Sequence, residues 1–195
     1  MTIKAIMAMA LCCILFAGCE TAKPALKIKS VADTSYTGAV KKLFIVINLP
    51  PIGWEQTAPG QQEEERSIAN QELFRHTITG RFEELNIETE SEIITGREPN
   101  DFLLKQKIAE FNGDAVYTIH AVSYNTKANL LHEIIFDVSI FDEKSQKRIW
   151  KANWIFTTAD PDTGAVKADG KSIADNLFAI VTDQLKADGM KIFGR

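Results

Sequence analysis

The chain has 195 residues, 22 basic against 26 acidic side chains and a net charge of −4. Its lysines and arginines are scattered and form no basic stripe, so the electrostatic footprint of a nucleic-acid binder is missing. Three cysteines, Cys12, Cys13 and Cys19, all near the start, exclude a disulfide-stapled scaffold.

Lys4 precedes an unbroken apolar run over residues 5–17, followed by Gly18 and Cys19. A cationic start, about 13 apolar residues and small residues before a cut describe an export signal rather than a transmembrane span, which needs about 20. The junction Leu15-Phe16-Ala17-Gly18-Cys19 resembles the lipobox of bacterial lipoproteins, with Phe16 where leucine is usual. That resemblance implies cleavage between Gly18 and Cys19, acylation of Cys19, and a membrane as the first partner. Cys12 and Cys13 leave with residues 1–18, so Cys19 is the sole thiol of the finished chain, and acylation keeps it from unwanted pairing. The alternative is an ordinary export signal with Cys19 unmodified. By lipoprotein sorting rules, Glu20 after the cysteine favours the outer membrane, periplasmic face, over the inner membrane. Removing 18 residues leaves 177, which suits one domain, expected over residues 42–195.

Residues 19–41 read as a tether, being small, polar and aperiodic; the competing reading is an edge strand around Leu26 and Val31. Residues 43–49 (Leu-Phe-Ile-Val-Ile-Asn-Leu) are continuously apolar, the pattern of a central strand buried on both faces. Pro50, Pro51, Gly53, Pro59 and Gly60 force a long loop that carries Trp54. Phe74, Ile78, Phe82 and Leu85 share a stripe on a helix expected over residues 62–86, opened by the acidic Glu63, Glu64 and Glu65. Residues 87–94 alternate apolar or small side chains with Glu88, Glu90 and Glu92, which predicts a strand with a solvated face rather than a metal site.

Pro99 opens a second helix with Leu104, Ile108 and Phe111 on one face and Gly113 as its C-terminal glycine. Strands over residues 114–125, 131–142 and 148–158, joined by short polar turns, predict an antiparallel meander. Ser172 and Asp175 form a capping box for a last helix, with Ile173, Leu177, Ile180, Val181 and Leu185 inward and Gly189 at its end. The order β-α-β-α-β-β-β-α predicts an α+β fold, one mixed sheet with helices mainly on one face.

In the meander, alternation turns Ala115, Tyr117, Ile119, Ala121, Ile134, Phe136, Val138, Ile140, Trp150, Ala152, Trp154 and Phe156 inward. The outer face then gathers Thr118, His120, Asp137, Ser139, Lys151 and Asn153 among the apolar Val116, Val122, Ile135, Phe141, Ile149 and Ile155. The stretch from Asp137 to Asp142, followed by Arg148, Ile149 and Trp150 and an amphipathic helix, resembles small α/β envelope domains: the N-terminal part of TolB and CsgG. That resemblance implies an accessory or assembly role and assigns no catalytic residue.

His76, His120 and His132 include no pair at i, i+4 spacing, and no nucleophile elbow, phosphate loop or dinucleotide fingerprint occurs. No metal, cofactor or catalytic group is therefore expected. A Ser, His and Asp on one flat sheet face invite a hydrolase reading, yet such faces ordinarily meet water with these residues. The apolar excess points instead to an envelope protein docking on Trp54 or on His120, Asp137, Phe141, Lys151, Asn153 and Ile155. Burial of that face by residues 20–40 competes with docking. A ligand-binding alternative puts a lipid between the last helix and Trp150 and Trp154.

Overall fold

The computed structural model describes residues 27–49, 63–94, 101–127, 130–157 and 169–193. The chain runs through β1 (Lys27–Ala32), β2 (Lys42–Asn48), α1 (Glu63–Glu83), β3 (Glu88–Ile93), α2 (Asp101–Phe111), β4 (Ala115–Lys127), β5 (Leu130–Asp142), β6 (Lys147–Thr157) and α3 (Gly170–Ala187). The strands form one mixed sheet in the order β1-β6-β5-β4-β2-β3, the α+β arrangement expected from the sequence. β2 runs parallel to both its neighbours, β3 and β4, whereas β4, β5, β6 and β1 succeed one another antiparallel.

The unbroken apolar run of β2 has a direct cause in this layering. Leu43, Ile45 and Ile47 enter the main core with Phe74, Ile78 and Phe82 of α1 and Ile173, Leu177 and Val181 of α3. Phe44 and Val46 point the other way, where they join Val116 and are covered by Leu104, Ile108 and Phe111 of α2. Two helices thus lie on one face of the sheet and a short one on the other. Where α3 begins, a β-carbon on Gly170 would stand 2.1 Å from the Asn70 carbonyl oxygen of α1, so only glycine allows this approach.

Residues 27–32 correct the tether reading in favour of the edge strand that competed with it, because they pair along β6 with Ser30 opposite Ala152 and Ala32 opposite Trp150. An edge strand buries little and tolerates lysine and serine, so its composition hides it. Ser30 Oγ further donates to Asp188 Oδ1 at 3.2 Å, fastening β1 to the end of α3.

Helix ends bring further corrections. α1 stops at Glu83, Asn86 turns with φ 61°, and Ile87 takes the core place expected for Leu85, which stays 39% exposed. Asn112, with φ 52°, makes the left-handed turn after α2 that Gly113 was expected to make. The N-cap of α3 is Asp169, whose carboxylate accepts from Ser172 N at 2.7 Å, while Ser172 Oγ donates back to Asp169 O at 3.1 Å. Asp175 is engaged elsewhere, by Arg81 Nε at 2.8 Å and Lys171 Nζ at 2.7 Å. Gly189 ends α3 as expected, with φ 77°; Met190 N reaches Leu185 O and Gly189 N reaches Lys186 O, the paired bonds of a Schellman turn.

Candidate docking face

The long antiparallel pairing of β4, β5 and β6 sets the expected residues side by side on the outer face. His120 stands opposite Asp137, Asp137 opposite Asn153, and Asn153 opposite Lys29 of β1, making one polar row across four strands. The next row is Thr118, Ser139 and Lys151. Lys151 Nζ lies 2.6 Å from Asp137 Oδ2, and the Thr118 and Ser139 hydroxyls bond at 2.6 Å. These pairs fix the centre of the face. Both ionic partners remain partly exposed, so the pair contributes little stability.

Apolar residues flank the rows, as Phe141 pairs with Val116 at one end and Ile135 with Ile155 at the other. α2 covers Val116, yet Phe141 remains 37% exposed and Ile155 is half-buried. β1 extends the sheet sideways rather than lying over the face, so residues 27–32 do not bury it. Two bulges change the expected set. Ile140 pairs with Trp150 and Phe141 with Arg148, so Ile149 is the extra residue and turns into the main core, 1% exposed. Val122 is extra between Ala121 and Ser123; Ser123 takes the place opposite Ile135, and Val122 is left 49% exposed. Trp54 lies outside the described residues.

The arrangement does not form a relay. The Ser139 hydroxyl is bonded to Thr118 and the Asp137 carboxylate to Lys151, while His120 is exposed at the neighbouring row. Among the described residues, no group of three or more His, Cys, Asp or Glu side chains could hold a metal ion. Glu88 and Glu92 on edge strand β3 instead pair with Lys42 and Lys107, at 3.1 and 2.7 Å.

Trp150 and Trp154 are core side chains and line neither of the two cavities described below. Each is 1% exposed, their rings lie 5.6 Å apart, and Trp150 Nε1 donates to Asp188 Oδ2 at 2.9 Å. An open groove of about 770 Å³ lies between the end of α1, the second half of α3 and the tail, lined by Leu85, Phe178, Leu185, Met190 and Phe193 with Lys186 and Lys191. The sequence signal for it was the width of the apolar stripe on α3, because Phe178 falls outside the face turned to the sheet.

A second cleft, about 480 Å³, was missed because Tyr36 fell in the presumed tether. Tyr36 Oη donates to Asp142 Oδ1 at 2.9 Å, and Asp142 also accepts from Ser145 N at 2.7 Å. Asp114 Oδ2 accepts from Lys41 N and Lys42 N at 2.8 and 2.9 Å. These carboxylates latch residues 33–41 onto the sheet. Burial, then the hydrogen bond and the charge of Asp142, push the Tyr36 phenol up to about 12. Burial alone would raise the Asp142 carboxyl, but bonds from Ser145 and Tyr36 outweigh it and hold it below the usual carboxylate range.

The raised phenol gives a signed expectation. The neutral phenol is favoured by the fold, so its contribution is fully present below pH 10.0, its ordinary value, and is lost as pH rises through about 12. Urea melts at pH 8 and pH 11.5 should show a larger alkaline loss in the parent than in Tyr36→Phe; equal losses would mean the latch is not formed in solution.

No protein-family model matches the chain, and no curated protein matches it either. Among solved structures it is similar to a PelC dodecamer from Paraburkholderia phytofirmans, at 14% identity and TM-score 0.41, over 87% of this chain and 99% of that one. It is also similar to protein XCC0632 from Xanthomonas campestris, of the DUF330 family, at 11% identity and TM-score 0.38, over 75% of this chain and 82% of that one. Likeness at this level assigns no role to any residue here.

Proposed function

We propose that this chain is a membrane-anchored bacterial lipoprotein, held through Cys19 at the periplasmic face of the outer membrane, acting as a non-enzymatic accessory or assembly factor. Its docking surface for another envelope protein is the outer face of β4, β5 and β6. The observation that carries this reading is the polar row of the exposed His120 and the half-buried Asp137 and Asn153, bordered by the part-exposed Phe141 and the half-buried Ile155. A fixed polar centre with apolar margins supplies both register and desolvation to a partner. α2 packs on Phe44, Val46 and Val116, at the β2 side of this face.

Charge placed on the margins tests it without touching the core. Phe141→Lys and Ile155→Glu should lower recovery of one specific protein from detergent-solubilised envelopes by about tenfold, the loss of roughly 1.4 kcal/mol. Ala179→Glu, on the exposed back of α3, should change nothing. Unchanged recovery in all three variants would refute the docking face.

A second reading, a binder of lipid or another apolar ligand, draws on the groove beside Phe178 and Phe193 rather than on the tryptophans. Its volume is in the range of ligand pockets. Solvent-extractable lipid retained by the parent but lost in Leu85→Glu would favour it over docking.

A further inference from the structure

The starts of all three helices and of β1 gather at one end of the sheet. β2 and β3 finish there, β6 finishes there, and all three helices begin there, since each helix runs back along the strand before it. β1 starts at the same end, because Lys27 pairs with Trp154, Trp154 with Phe136 and Phe136 with Ala121.

Most of the exposed large apolar side chains among the described residues lie at this end too. Ile68 (55% exposed), Phe102 (75%), Leu103 (52%), Val122 (49%) and Tyr124 (46%) lie there, five of the nine exposed large apolar side chains among the described residues, whereas Val31 (60%), Leu85 and Phe141 lie toward the opposite end and Leu73 within α1. Phe102 sits in the first turn of α2, one helical turn from the exposed Lys105. An aromatic ring beside a lysine suits the boundary between acyl chains and anionic headgroups.

Cys19 and Lys27 are eight positions apart, so the chain between them spans at most roughly 29 Å. An anchor that short holds this end near the bilayer and lets the opposite end face away. We infer that the end bearing Phe102 and Val122 rests on the lipid surface, so that the domain stands with its strands pointing at the membrane and the outer face of β4–β6 open sideways. The inference rests on the lipid-anchor reading above, and the occupant it names is the bilayer itself.

The test supplies the anchor chemically, so its result does not depend on acylation in the cell. The chain from residue 19 onward has one thiol, Cys19, which couples to a maleimide-headgroup phospholipid in phosphatidylethanolamine/phosphatidylglycerol vesicles containing brominated acyl chains. Phe102→Trp and Leu85→Trp place a reporter at either end, both at exposed positions where folding is not at stake. Above the background of the native tryptophans, bromine should quench Phe102→Trp at least threefold more than Leu85→Trp. Equal quenching, or stronger quenching at Leu85→Trp, overturns the orientation, including the case in which a protein occupies this end. An intact mass showing Cys19 unacylated in cells would remove the anchor reading and leave this measurement intact.

Discussion

Phe82→Ala should cost about 3–5 kcal/mol and lower the thermal midpoint by roughly 6–20 °C, measured by calorimetry or circular dichroism. Phe82 has no exposed surface, and its ring meets three others edge-on: Tyr117 of β4 at 5.2 Å, Phe178 of α3 at 5.1 Å and Phe193 of the tail at 5.0 Å. Truncation therefore opens a cavity bounded by sheet, helix and tail together, which cannot all close in. Against a total stability of about 5–15 kcal/mol, that loss is large. Phe102→Ala is the matched control, since a ring 75% exposed contributes little to folding. A Phe82 variant as stable as that control would mean the aromatic junction is not packed as described.

The second large effect concerns location. Cys19→Ser should move the protein almost wholly from the membrane fraction to the soluble periplasmic fraction. Each buried methylene contributes about 0.8 kcal/mol, and two or three acyl chains together hold a protein far more firmly than one. No helix among the described residues is long and apolar enough to cross a membrane, so none offers a helical substitute for the anchor. Intact-mass analysis of the parent should show the acyl groups on a chain beginning at Cys19. A serine variant that stays membrane-bound, or a parent mass without acylation, would contradict the lipoprotein reading.

The legible parts of the fold were those where one pattern dominated. The run from Leu43 to Ile47 could only be a strand covered on both sides, and it lies between β3 and β4 with a helix on each face. The turns around residues 143–146 gave the meander, because short polar connections permit only antiparallel neighbours. β1 was legible only as the alternative to a tether, since its alternation is short, an edge strand tolerates Lys27, Lys29 and Ser30, and its partner β6 lies far along the chain.

The candidate face was legible in its polar rows and blurred at its margins. Period-two alternation put His120, Asp137, Lys151 and Asn153 on one side, and the register brings them together. Alternation fails at a bulge, which adds one residue and shifts the period; Ile149 was misplaced for that reason, and Ser123 rather than Val122 stands opposite Ile135. Caps failed differently. Ser172 satisfied the box pattern, but Asp169, three residues earlier, offers a carboxylate in extended backbone, with φ −89° and ψ 172°, and starts the helix sooner. The Tyr36–Asp142 latch joins residues 106 positions apart, so no local pattern could have shown it.

Site-specific photo-crosslinking in intact cells probes the docking claim at single positions. A photoreactive side chain at His120 or Asn153, neighbours of Asp137 in the same polar row, should each yield one adduct with the same envelope protein, while the group at Ala179 on the back of α3 yields none. Adducts equally strong at Ala179, or none at either row position, would contradict a partner on the outer face of β4–β6.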